Sequence, residues 1–191
     1  MALRKIATIG HPVLRQVART LTREELASPA MQRLVDDLVE TMRDASGAGI
    51  AANQVHEPVR ICVLEIANNP RYPYLPAWPL TVLVNPVVTP TTDETFLNYE
   101  GCLSVPNLRG QVPRFATIRV RAWDREGAKL DFAVKGLTAG TFQHELDHLD
   151  GKLLVDGVVD ARTLTTWGDF ERFHREAFVT QAKALVARFG S

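Results

Sequence analysis

Cysteine is scarce in this chain, with two in 191 residues, and net charge is absent, since 22 Lys and Arg balance 22 Asp and Glu. Two cysteines are too few for a disulfide framework, which excludes a small stapled fold. Balanced charge removes the broad electrostatic footprint of a nucleic-acid binder and leaves only a local basic patch for such contacts. No apolar run reaches membrane-spanning length, and MALRKIATIG lacks the apolar core of a signal peptide. A cytoplasmic location away from membranes is therefore expected. Repeats and low-complexity tracts are missing too. What is there is ordinary globular composition, 46% apolar and 23% charged. The length fits a single domain, taken as 1–191, with a substantial core.

Segment 3–18 reads as extended, because His11-Pro12 discourages helix. Ser28-Pro29 supplies an N-cap followed by proline at the first helical position. Met31, Leu34, Val35, Leu38 and Met42 then follow at helical spacing, up to Ser46-Gly47-Ala48-Gly49. Strands are expected at 59–66, 80–88, 94–99, 115–123 and 129–135, the last two joined as a hairpin through Asp124-Arg125-Glu126-Gly127. Cys62 lies in an apolar, β-branched run and reads as a small core residue. The proline-rich segment 68–79 reads as a surface loop that either covers a site or contacts a partner. A helix is expected over 137–150, stopping at Gly151, and a second long helix near the C-terminus carrying Phe170, Phe173, Phe178, Ala182, Leu185 and Val186. Short strands followed by a helix indicate an α+β fold, with mostly antiparallel strands around a central helix.

Residues 144–148 read His-Glu-Leu-Asp-His. Side chains four apart stack on one helix face, so His144 and His148 can offer two imidazoles to one metal ion. Glu145, beside the first of them, is placed to take a proton from water. A catalytic metal usually has a third protein ligand and an open position. The metzincin spacing puts Leu154 there, which cannot bind. A thermolysin-like arrangement would need a downstream carboxylate, for which Glu171 and Glu176 are available. Cys102, in a Gly-flanked loop, is the better candidate, since a thiolate with two imidazoles suits Zn²⁺ or Fe²⁺.

Three blocks then occur in order: Gly47-Ala48-Gly49-Ile50-Ala51-Ala52-Asn53-Gln54, Glu100-Gly101-Cys102-Leu103-Ser104 and Gln143-His144-Glu145-Leu146-Asp147-His148. Together they resemble the three signature motifs of the peptide deformylases, and the likeness runs over roughly residues 5–155. Two positions depart from the pattern: the first motif commonly has Pro where Asn53 stands and Gly where His56 stands. The helical tail 156–191 diverges from the best-known bacterial enzymes and looks more like a bacterial subgroup related to organellar forms.

The resemblance implies removal of the formyl group from the N-terminal formylmethionine of nascent chains, with formate released. It implies Cys102, His144 and His148 as ligands, Glu145 as acid–base, and the Gln54 side chain with the Leu103 backbone N–H as oxyanion donors. One divalent ion per chain follows, Fe²⁺ natively, with Zn²⁺, Ni²⁺ or Co²⁺ able to take the same ligands. On the substrate side, Gly49 lets the loop backbone approach the peptide as an added strand, Gly101 is counted with it, and Ile50 and Leu137 are expected to wall the methionine pocket. Behind the ligand loop, Glu100 and Arg109 read either as a supporting pair or as an ordinary surface pair. Asp147 reads as structural or supporting, and His11 and His174 have no site role. A transient ribosome contact is the expected partnership, without sequence-specific nucleic acid. Two rival readings remain, a zinc metallopeptidase with a downstream Glu ligand and a metal-stabilised interaction module without turnover.

Overall fold

The computed structural model describes residues 2–67 and 72–190, so part of the proline-rich segment, residues 68–71, lies outside the described residues. After a short α1 (Arg23–Leu26), helix α2 (Pro29–Asp44) starts as expected, with the Ser28 hydroxyl accepting from Met31 N–H and Pro29 at the first position. Leu34, Val35, Leu38 and Met42 bury its apolar face. The N-terminal segment runs along this helix, where Asp37 accepts from Ala2 N–H and from Arg4. It is not extended throughout. Pro12–Arg15 forms one 3₁₀ turn, with His11 Nδ1 accepting from Val13 N–H. Proline at the first position of a turn lacks only an N–H that would be unpaired anyway, so it opens this turn and does not prevent it.

Among the described residues, eight strands form two antiparallel sheets. The larger has the order β1-β2-β3-β6-β7, from Gly49–Ala51, Ile61–Ile66, Trp78–Pro90, Thr117–Trp123 and Lys129–Lys135. The smaller has the order β4-β5-β8, from Thr95–Cys102, Val105–Phe115 and Thr165–Thr166. The β6–β7 hairpin forms in register, Thr117 against Lys135 through Trp123 against Lys129. Strand β5 was not expected, because Pro106 and Pro113 lie in it. The Gln111 N–H points outward to Thr163 Oγ1, so period two puts Pro113's nitrogen on the same outer edge. β8 pairs only Leu108 and Arg109 there, and the missing N–H breaks no ladder bond.

Helix α3 (Gly136–Leu149) packs against both sheets, with Phe142 and Leu149 fully buried beneath the larger one. It ends at Gly151 in the left-handed region, φ 73°, where an added Cβ would lie 2.8 Å from the Arg15 carbonyl oxygen. After α4 (Leu154–Gly157), the tail comprises α5 (Trp167–Asp169), a π-turn at Phe170–His174 and α6 (Arg175–Phe189). The π-turn breaks the expected apolar face. Phe170, Phe178 and Ala182 are buried, while Phe173 is 63% exposed, because the extra residue per turn rotates it outward. Among the described residues no helix is long and apolar enough to cross a membrane.

Candidate metal centre

Helix α3 delivers His144 and His148 to the end of β4, where Cys102 stands. The His144 and His148 Nε2 atoms are 3.3 Å apart, and Cys102 Sγ is 3.2 Å from His148 Nε2. Among the described residues this is the one His/Cys/Asp/Glu cluster with the geometry of a metal site, its ligand atoms all within 4.8 Å of one another. A four-coordinate ion with bonds of about 2.0–2.3 Å separates its ligand atoms by roughly 3.3–3.6 Å. The three side chains therefore fit one small divalent cation. Leu154 is buried in the core, Glu171 is exposed and paired with Arg175, and Glu176 is exposed and outside the cluster, so neither metalloprotease-like alternative has a ligand at hand among the described residues.

His144 is held from behind. Glu100 Oε2 lies 2.9 Å from His144 Nδ1 and fixes Nε2 toward the cluster. The Glu100 carboxylate is in turn gripped by Arg114, at 2.7 and 2.8 Å, and Arg114 Nη1 reaches Asp147 Oδ2 at 2.6 Å. The expected partner was Arg109, and the register shows why it is not. Glu100 pairs with Gly110 and Gly101 with Arg109, so Arg109 leaves β5 on the opposite face from Glu100. Arg114 lies on the correct face, and Asp147, one turn from His144, completes the support.

Arg109 instead is buried in an aromatic cage, its guanidinium carbon 3.8 Å from the Phe170 ring centre and 4.5 Å from that of Trp167. It donates to the Tyr99 carbonyl at 2.5 Å and to the Tyr74 hydroxyl at 3.2 Å. His174, given no role by the sequence, stacks on Tyr99 at 5.7 Å.

Burial disfavours ionisation of Cys102, but the facing His148 and His144 prevail and bring its thiol down to about 5. Burial opposes a charge on His144 as well, yet Cys102 and Glu100 hold its pKa well above the usual imidazole range. Glu100 is likewise drawn down to about 2, against burial, by Arg114 and His144. Glu145 goes the other way. Burial raises it to about 7, only partly offset by the two histidines. Its Oε2 has no hydrogen-bond partner among the described residues.

Gln54, in a 3₁₀ turn following β1, is buried beside the cluster. Its Oε1 accepts from Ala51 N–H at 2.8 Å, which turns Nε2 toward Ser104 Oγ at 3.0 Å and Cys102 Sγ at 3.9 Å. Ser104 was not singled out from the sequence, although its position two residues past the cysteine, in a tight turn, was a usable signal. Its N–H also donates to Cys102 Sγ at 3.3 Å.

A cleft opens beside these groups, and Gly49, Gly101 and Leu103 line it as expected. Ile50 and Leu137 do not. Both are buried in the core, Ile50 beneath α2 and Leu137 against Phe96 and Ala182. The walls are instead Tyr74, Leu75, Asn98 and Thr141. Tyr74 and Leu75 come from the proline-rich segment, which thus borders the site in its described part. Thr141 precedes His144 by one turn and Asn98 precedes Glu100 by two residues, so both share a face with a site residue.

The departures also have structural counterparts. His56 sits in the left-handed region, φ 70°, where the glycine common in the motif carries no strain. Asn53 is fully buried, and its Nδ2 donates to the His148 carbonyl.

Comparison with known proteins follows the same lines. The family described as Polypeptide deformylase matches residues 3–163. "Peptide deformylase 1" of Prochlorococcus marinus (strain MIT 9313) is 38% identical over 172 residues, covering 90% of this chain and 88% of that protein. The protein of the same name from Bordetella pertussis is 40% identical over 163 residues, covering 85% and 90%. Among solved structures, a class I type b peptide deformylase from Acinetobacter baumannii with Met-Ala-Ser bound superposes with a TM-score of 0.79 at 36% identity, covering 82% of this chain and 99% of that one. A peptide deformylase from Legionella pneumophila gives a TM-score of 0.72 at 31% identity and covers 98% of this chain.

Proposed function

Because the chain belongs to the polypeptide deformylase family, we propose that Cys102, His144 and His148 are its metal ligands, Glu145 its acid–base, and Gln54 with the Leu103 N–H its oxyanion donors. The reaction is that of the family, metal-dependent hydrolysis of the N-formyl group from formylmethionyl peptides with release of formate. The observation that carries the residue assignment is the convergence of Cys102 Sγ and two imidazole Nε2 atoms beside an unpaired, buried Glu145 carboxylate.

A divalent ion held by the three ligands supplies Lewis acidity and makes water acidic enough to ionise near neutral pH. Glu145 takes the proton of the attacking water and passes it to the departing amine, so formate and a free N-terminus leave with the bond balance of a simple hydrolysis. A carboxyl group raised to about 7 suits both transfers, since it neither holds nor surrenders the proton strongly. Gln54, locked by Ala51 N–H, keeps a donor ready for the oxygen that becomes negative. One such donor is worth about 2.7–4 kcal/mol in the transition state.

The peptide is placed against β1. That strand is an edge of its sheet, with β2 on its other side, and an extended substrate adds to it by backbone pairing. The Acinetobacter baumannii structure with Met-Ala-Ser bound supports a short peptide as the ligand. We further propose Fe²⁺ as the native ion, with Zn²⁺, Ni²⁺ or Co²⁺ as substitutes, since the thiolate–imidazole set suits all four. Work on nascent chains points to the cytoplasm and to a transient ribosome contact.

The test is formate release from a formyl-Met peptide under anaerobic conditions, with metal analysis of the same sample. Cys102→Ala is expected to lose most bound metal and nearly all turnover. Stoichiometric metal and normal turnover in that variant would refute the ligand set.

A further inference from the structure

His144 and His148 are supported unequally. His144 has Glu100 behind its Nδ1. His148 turns Nε2 to the cluster, so a neutral ring that ligates a metal through Nε2 carries its proton on Nδ1. That Nδ1 is buried and has no partner among the described residues. The same holds for Asn53 Oδ1, an acceptor on a fully buried side chain. These two orphans belong to residues already joined, since Asn53 Nδ2 donates to the His148 carbonyl.

We propose that Asn53 is a positioning residue for His148, clasping its carbonyl through Nδ2 and its Nδ1–H through Oδ1 when the ring ligates a metal through Nε2. A buried donor and a buried acceptor left unpaired are each costly, and one hydrogen bond between them removes both penalties. A metal-bound histidine ordinarily donates its second N–H to an acceptor that fixes ring and tautomer. Asn53 supplies that acceptor as Glu100 does for His144, without adding charge. Its place in the chain gives the clasp a second effect. Asn53 immediately precedes Gln54 in the turn Ala52–Val55, so the bond to His148 ties the oxyanion donor's turn to the metal helix. Proline, the residue common at this motif position, has neither the amide donor nor the side-chain acceptor.

This inference rests on the ligand assignment above, and its test separates the two. Wild type, Asn53→Leu and Asn53→Asp are compared for Co²⁺ dissociation constant, Co²⁺ absorption spectrum and kcat against KM on a formyl-Met peptide. The first variant removes both polar atoms at similar volume, and the second keeps the acceptor. Asn53→Leu is expected to weaken Co²⁺ binding about 10–100-fold and to alter the spectrum, with kcat falling more than KM rises. Asn53→Asp is expected to recover most of the affinity. In the zinc-loaded wild type, imidazole ¹⁵N spectra should show His148 protonated on Nδ1 with slow exchange. Where Asn53→Leu does not fold, the Nδ1–H resonance in zinc-loaded Asn53→Asp decides the matter, since a stronger acceptor bonded to that proton moves its resonance and an unbonded one leaves it unchanged. Unchanged affinity and spectrum in Asn53→Leu, equal loss in both variants, or a His148 ring protonated on Nε2 would each overturn the proposal. A wild type that binds no metal or releases no formate would instead overturn the functional reading itself.

Discussion

Gly49 has no Cβ because Glu145 occupies its place. An added Cβ at Gly49 would lie 2.6 Å from Glu145 Oε1 and 2.7 Å from the carboxyl carbon. Real Cβ atoms do not approach so closely, so Gly49→Ala must push the carboxylate off its position. Turnover is expected to fall about 10²–10⁴-fold, the usual worth of a general acid–base, while metal content stays at wild-type level. Steady-state kinetics on metal-quantified samples decide this, and normal kcat would mean that Glu145 works from another position.

Glu145 also links activity to stability. The unfolded chain releases this proton near 4.5 and the folded chain near 7, so the folded state holds an extra proton between those values. Stability of the metal-free protein from this group is thus intact below 4.5 and is lost as pH rises toward and past 7. Glu145→Gln, which cannot ionise, should be more stable than wild type at pH 8 by on the order of 1–3 kcal/mol, and no more stable at pH 4. Denaturant titrations of the metal-free proteins at both pH values measure it. An equal difference at both would show that the carboxyl group is not raised.

For Glu100 the sign is reversed. Its folded pKa of about 2 lies below the unfolded 4.5, so its stabilisation is present above 4.5 and disappears as pH falls toward 2. Glu100→Gln strands the buried Arg114 and loosens His144. A cost of about 3–5 kcal/mol at pH 7 is expected, shrinking at pH 3, together with weaker metal binding. A penalty independent of pH would mean that packing, not charge, accounts for the loss.

Arg109 should prove to be an anchor of the tail. Arg109→Ala empties the cage formed by Trp167 and Phe170, and hydrogen exchange should rise across residues 167–178. Arg109→Met fills most of the space without charge, so the difference between the two variants isolates the charge–ring attraction, about 2 kcal/mol where desolvated. Metal content should stay unchanged in both. Unaltered exchange in Arg109→Ala would show that the tail is held elsewhere.

Local spacing made the metal helix legible. A separation of four positions between His144 and His148 suffices to place both rings on one face, whatever the rest of the chain does. The strands with alternating or β-branched runs were equally plain, whereas β1 was hidden inside a glycine-rich stretch and β5 behind its prolines. What the sequence withholds is register. Whether Glu100 meets Arg109 or Arg114 depends on a one-residue pairing offset between β4 and β5, and both arginines look equally suitable in the linear sequence. The same limit applies to Ile50 and Leu137, which are apolar and close to the motifs yet point into the core. The rotation of Phe173 out of its face follows from a single π-turn, which no helical periodicity anticipates.

Helix α3 is gripped within one and a half turns from three sides: Glu145 against β1, Asp147 by Arg114, and the His148 carbonyl by Asn53. These three contacts restrain the helix against rotation and sliding, which suits a fixed platform better than a moving part. The adjustment required by different peptide sequences therefore falls to the cleft's rim, where Tyr74 and Leu75 stand on a segment without regular structure. Chemistry and accommodation are thereby assigned to separate pieces of backbone. On the assignment proposed above, the reacting groups keep one geometry for every substrate, and the reorganisation cost of the reaction step is met when the chain folds.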